Sequence, residues 1–114
     1  MEKQIDTITW DDFSKIDMRV GTIVSAELFK EARKPAYKIT VEFGQIGQRK
    51  SSAQITKLYS PENLIGKQVI CIINFPKKQI ATLMSECLIM GVVDGDIVTL
   101  LSPERRVENG LKIG

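Results

Sequence analysis

The sequence predicts an all-β protein, a five-stranded Greek-key barrel carrying only short helices. Three observations predict it. Apolar side chains alternate at period two in the clearest run, where Tyr37, Ile39, Val41 and Phe43 point one way and Lys38, Thr40 and Glu42 the other. Turn residues punctuate the chain at Gly44 and Gly47, Asp94-Gly95, Ser102-Pro103 and Asn109-Gly110. Helical patterning is confined to two short stretches, near Trp10 and near Pro61. A chain of 114 residues has room for one core, burying roughly 65% of the surface its unfolded form would expose.

Taken in order, residues 1–8 form an N-terminal extension and 9–114 the domain proper. Thr9 caps a short helix whose Asp11 and Asp12 favour its positive end. Asp17 to Leu28 reads as a long strand with Met18, Val20, Val24, Ala26 and Leu28 on one face, and Gly21 marks a bulge or bend. Phe29 to Pro35 is a basic loop and Ala36 to Phe43 the second strand. Gln48 to Ile55 follows as a strand with no apolar face, which fits an edge or a binding surface. Ser60 caps one helical turn that has Pro61 at its first position and ends at Gly66. Val69 to Ile73 is apolar throughout and therefore a buried strand. Asn74 to Gln79 is a loop fixed by Pro76. Leu88 to Val93 and Ile97 to Leu101 make a hairpin through Asp94-Gly95, and Leu111 to Ile113 a short last strand. Five or six short strands with one helical insert make an OB-type barrel the economical architecture. Ile5, Ile8, Trp10, Leu111 and Ile113 fall outside that barrel. The terminal extensions are thus expected to cover them in a homodimer, or to fold back on their own barrel.

Composition excludes several function classes. No histidine is present, which removes Ser-His-Asp and Cys-His nucleophile systems and the commonest general base. Two scattered cysteines cannot fill a tetrahedral zinc site, and no phosphate-binding glycine motif occurs, so no catalytic residue, metal or cofactor is predicted. Cys71 and Cys87 sit in apolar strand-like runs and read as buried reduced thiols, with a disulfide or redox role as the alternative. No apolar run approaches the ~18 residues of a membrane span. The first residues lack a secretory-signal pattern, so a cytoplasmic protein without membrane insertion is expected.

What remains is a binding surface. Net charge is +2, but residues 1–14 carry −3, residues 15–80 carry +7 and residues 81–114 carry −2. The basic middle attracts anionic partners. Its cations lie in three segments: Lys30, Arg33 and Lys34; Arg49 and Lys50; Lys77 and Lys78. Loops of an OB barrel bring such segments to one groove, where lysine and arginine hold phosphates. Ser51, Ser52, Gln54 and Asn74 then offer hydrogen bonds to bases or ribose. Stacking aromatics are scarce, Phe75 and Tyr59 being the candidates, so shape recognition of a folded RNA fits better than coating of a single strand.

These residues also carry a family resemblance. Asp17-Met18-Arg19-Val20-Gly21-Thr22-Ile23 resembles the first strand of the tRNA-binding domain appended to methionyl-tRNA synthetases and to the phenylalanyl-tRNA synthetase beta chain. Ser85-Glu86-Cys87-Leu88 stands where that family carries Ser-Glu-Gly-Met, and Asn74-Phe75-Pro76-Lys77 resembles its Asn-Leu-Lys-Pro loop. Glu31 to Lys38, Ser51 to Thr56, Leu64 to Val69 and the Asn109-Gly110 ending are similar to the free-standing CsaA family of secretion-related chaperones. The resemblance implies an OB fold, a cytoplasmic homodimer, interaction with unfolded or export-bound polypeptides, and a surface related to tRNA binding. A structure-specific tRNA-binding protein without a chaperone role is the alternative. The tRNA-domain likeness nominates Arg19, Asn74, Lys77, Ser85 and Glu86; the CsaA likeness nominates Arg33, Lys34, Lys50, Ser52 and Gln54. Phe75 and Met84, with Leu83, are the apolar candidates for a peptide pocket. Each has a plainer reading. Arg19 faces solvent or pairs with Asp17, Glu86 bridges strands, Ser85 is a turn hydroxyl, and Phe75 and Met84 are core or dimer contacts.

Overall fold

The computed structural model describes residues 4–114, so the first three residues of the expected N-terminal extension lie outside the described residues. Helix α1 (Trp10–Ser14) starts as expected: Asp12 N–H donates to Thr9 Oγ1 at 3.1 Å while Thr9 N–H donates to Asp12 Oδ2 at 3.0 Å. This reciprocal cap satisfies two backbone donors that a short helix otherwise leaves to water. Strand β1 (Met18–Leu28) is central, pairing antiparallel with β2 (Tyr37–Glu42) on one side and β4 (Gln68–Ile72) on the other.

The expected single face of β1 does not hold along its length. Val20 and Ile23 are buried, whereas Val24 and Leu28 are 42% and 52% exposed. A register shift between Ile23 and Ser25 moves the alternation by one residue, so that Ile23 before it and Ala26 after it share the core face, opposite Val41 and Ile39, and Val24 is left outside. The bulge therefore sits after Gly21. Gly21 itself serves close packing, since a Cβ there would lie 2.4 Å from Val41 Cγ1 and 2.8 Å from the Phe43 ring. The missing side chain lets the β2 side of the core pack directly against the β1 backbone.

Strand β2 alternates as its sequence demands, with Tyr37, Ile39 and Val41 inward. A 3-10 turn over Gly44–Ile46 leads to β3 (Gln48–Ala53), which ends two residues short of the expected Ile55. Its inner face exists after all, made of small side chains: Ser51 is 2% exposed and Ala53 9%. Helix α2 (Pro61–Leu64) has Ser60 as its cap and buries Leu64. All five residues of β4 are buried.

Two short hairpins and a split strand complete the chain. Lys78–Ile80 (β5) pairs with Leu83–Ser85 (β6), turning at Ala81 with φ 48°, where the sequence showed only a loop. The run expected from Leu88 to Val93 breaks at Met90. Leu88–Ile89 (β7) pairs with β4, while Gly91–Asp94 (β8) pairs with Ile97–Leu100 (β9) as the expected hairpin. The expected last strand is reduced to one bridge, Lys112 opposite Arg19.

The main sheet has the order β3-β2-β1-β4-β7. It curls until Glu86 N–H donates to the Lys50 carbonyl at 2.7 Å, nearly closing an OB-type barrel across β3. The core inside is built from Ile23, Ile39, Val41, Phe43, Leu64, Val69 and Cys71. A smaller cluster of Phe29, Ala36 and Leu83 sits beneath the basic loop, so Leu83 is not available to a ligand. No helix among the described residues is long and apolar enough to cross a membrane.

Candidate functional site

The site assembles on the outside of the barrel closure. Because residues alternate along β3, the inward Ser51 and Ala53 leave Lys50 and Ser52 facing outward, with Gln54 exposed just beyond the strand. Glu86 organises one end. Its Oε1 accepts from Lys50 N–H at 3.0 Å, and Lys77 Nζ lies 3.5 Å from its Oε2. The carboxylate thus both closes the barrel and gathers two lysines of separate segments. Ser51 Oγ donates to the Cys87 carbonyl at 2.8 Å, tying β3 to the residue that leads into β7.

Between β3, the β5–β6 hairpin and the Phe75-Pro76 loop lies a groove of about 550 Å³, lined by Ser52, Phe75, Lys77, Lys78, Ile80, Ser85, Cys87 and Leu88 among others. A second depression of about 530 Å³ is lined by Arg33, Lys34, Ser52, Gln54 and Ile80. Ser52 and Ile80 border both, so the two form one continuous surface. Phe75 is 56% exposed and Leu88 48%, beside lysine ammonium groups. An apolar floor with a cationic rim takes apolar side chains and anionic groups together.

The nominated residues divide accordingly. Arg33, Lys34, Ser52, Gln54, Phe75, Lys77 and Ser85 line this surface, and Lys50 and Glu86 are tied to its edge. Met84 is exposed opposite Gln79 in the hairpin but does not line the groove. Arg19 and Asn74 belong to the scaffold. Arg19 Nε donates to Asp17 at 2.6 Å and its Nη1 donates to the Gly110 carbonyl at 3.0 Å, in a separate cleft beside Gly44 and Asn109. The Arg19 guanidinium holds the Asp17 carboxyl below the usual carboxylate range, with burial opposing. Asn74 Oδ1 accepts from Asp17 N–H at 2.9 Å and its Nδ2 donates to the Lys15 carbonyl at 2.6 Å, stapling the end of β4 to the entry of β1. Ile80, Leu88 and Cys87 were missing from the nominated set. Ile80 sits in the hairpin that no turn signal announced, and Cys87 and Leu88 read as strand core.

Comparison with known proteins accords with this geometry. The family model described as "Putative tRNA binding domain" matches residues 18–112. The chain is similar to the methionine–tRNA ligase of Methanococcoides burtonii, 40% identical over 106 residues, covering 92% of this chain but 15% of that enzyme. It therefore spans about one sixth of the length of such relatives, as also for methionine–tRNA ligase 1 of Bacillus anthracis, 36% identical, where it covers 17%. Among solved structures it is similar to the chaperone CsaA of Bacillus anthracis, with TM-score 0.92 and 45% identity over 96% of this chain and 100% of that one. The CsaA chaperone protein of Picrophilus torridus superposes with TM-score 0.89 and 52% identity over 95% and 100%. Matched through most of its length in sequence and in barrel closure, the chain belongs to the tRNA-binding domain family, within its CsaA group.

Proposed function

We propose that this protein is a cytoplasmic CsaA-type chaperone that binds unfolded or export-bound polypeptides, without catalysis, through the groove between β3 and the β5–β6 hairpin. The observation that carries the reading is an exposed Phe75 and Leu88 set among Lys77 and Lys78 in one groove. Exposed apolar side chains in a concave setting are costly in water and mark a binding site. The structural likeness to two CsaA chaperones supports the polypeptide ligand.

The family match favours a second capacity, tRNA binding on the same face. Arg33, Lys34, Lys50 and Lys77 then hold phosphates, and Ser52 and Gln54 donate to ribose or bases. A tRNA-binding protein with no chaperone role is the alternative reading.

Competition separates them. A labelled unfolded polypeptide is expected to displace tRNA, and the protein to suppress aggregation of a denatured substrate. Phe75→Ala is expected to weaken peptide binding by about tenfold or more, as loss of an aromatic anchor does. Lys77→Glu is expected to weaken tRNA binding and lower its salt slope by about one. Absence of peptide binding alongside intact, salt-dependent tRNA binding would overturn the chaperone reading.

A further inference from the structure

We propose that the groove does not end at Gln54 but runs on to the tip of the β8–β9 hairpin, and that its partner is an extended polypeptide segment with apolar side chains at both ends and acidic ones between them. The inference rests on the proposed polypeptide-binding function and names the ligand pattern that the surface fits.

The continuation is a third depression, of about 500 Å³, between the chain after β3 and the hairpin tip. Thr56 and Lys57 line it on one side, Val93 and Val98 on the other. It shares Lys34 and Gln54 with the Arg33 depression, just as that one shares Ser52 and Ile80 with the Phe75 groove. The three therefore follow one path along residues 52–57. The hairpin is fixed as the far wall. Leu100 N–H donates to Tyr59 Oη at 3.0 Å, and the Tyr59 carbonyl accepts from Tyr37 Oη at 2.7 Å, so β9 is anchored to β2 through one tyrosine. Val98 and Leu100 pack on the barrel core, while Val93, opposite Val98 in the hairpin register, is left 72% exposed. A single exposed valine needs no explanation. This one lines a concavity continuous with a groove that exposes Phe75 and Leu88 at its other end.

Charge supplies the middle of the pattern. Lys57 and Lys77 have carboxylate partners in Asp96 and Glu86, whereas Arg33, Lys34 and Lys78 have none among the described residues. The Arg33 depression holds one acid, Glu31, against two cations. Uncompensated positive charge thus lies between the two apolar ends and selects carboxylates there. Bases stack on aromatic rings, and the hairpin end offers only aliphatic side chains, which favours a polypeptide over RNA. Residues 52–57 span at most about 18 Å, so an extended segment laid along them has about seven residues. Its first, third, fifth and seventh side chains share the face that meets the groove.

The test is fluorescence anisotropy of the full chain with labelled, end-capped seven-residue peptides. The parent has leucine at both ends, aspartate at its third and fifth positions and serine elsewhere. Replacing one leucine by serine is expected to weaken binding by about fivefold or more, as loss of one buried aliphatic side chain does. Lysine in place of both aspartates is expected to weaken it at least as much, with the gap closing as salt rises. Val93→Ser is expected to weaken the two-leucine peptide by about fivefold and the one-leucine peptide by clearly less. If that variant fails to fold, the peptide series on the native chain still decides. Equal affinity for the one- and two-leucine peptides, or the same loss for both on Val93→Ser, would end the groove at Gln54 while leaving binding at Phe75 in place. Preference for the lysine peptide would refute the charge pattern. If no peptide binds, or none responds to Phe75→Ala, the proposed function fails and this extension with it. A loss of tRNA affinity alone on Val93→Ser would give the hairpin end to RNA and sink the peptide assignment.

Discussion

Single residues here carry constraints that their type alone does not announce. Gly21 is a close-approach glycine, and a Cβ at 2.4 Å from Val41 Cγ1 has nowhere to go without moving the core. Gly21→Ala is expected to destabilise the fold by about 1–3 kcal/mol, read by denaturant midpoint, since overpacking forces side chains off their rotamers. The Asp17–Arg19 pair has a pH signature. The folded-state pKa of Asp17 is lowered by Arg19, so the stabilisation is complete above the unfolded value of about 3.9 and is lost as pH falls through the folded value. Asp17→Asn is therefore expected to lower Tm at neutral pH, with the difference from wild type closing below about pH 4. A difference that persists unchanged into acid would show that Asp17 acts otherwise.

At the scale of elements, the loop after β4 separates scaffold from site within two residues. Asn74 spends both polar atoms on Asp17 and Lys15, while Phe75 beside it is left exposed. Asn74→Ala is expected to cost about 1 kcal/mol of stability, the scale of a solvent-accessible hydrogen-bonded amide. A loss of ligand affinity much larger than that, at full folding, would instead make Asn74 a contact. The β5–β6 hairpin supplies Ile80 and Ser85 to the groove. It turns at Ala81-Thr82 without glycine, asparagine or proline, so nothing in its residues announced it. The β8–β9 turn at Asp94-Gly95 was legible because Gly95 adopts φ 62°, which its type permits.

For the whole molecule, apolar surface at the chain ends remains uncovered. Ile5 is 87% exposed, Trp10 84% and Leu111 49%. The expectation that the termini fold back on their own barrel does not describe Ile5 and Trp10. A small cleft of Ile8, Trp10, Phe13 and Gly114 brings the two ends of the described chain together, which suits a twofold interface. Light scattering is expected to give twice the 12.8 kDa chain mass, and Trp10→Asp to shift the protein toward monomer. A wild-type mass of one chain would remove the homodimer.

The sequence by itself determined the all-β class, the β2 alternation, both helix caps, the buried β4 and the family, because each follows from local periodicity, capping chemistry or contiguous motifs. Only the tertiary structure decided which nominated residues meet. Barrel closure brings Lys50 and Lys77, from separate segments of the chain, to the one carboxylate of Glu86, and the Ile23–Ser25 shift decides which β1 side chains face inward. Strand pairing and closure depend on contacts between distant segments, and local patterning carries no record of which edges will join.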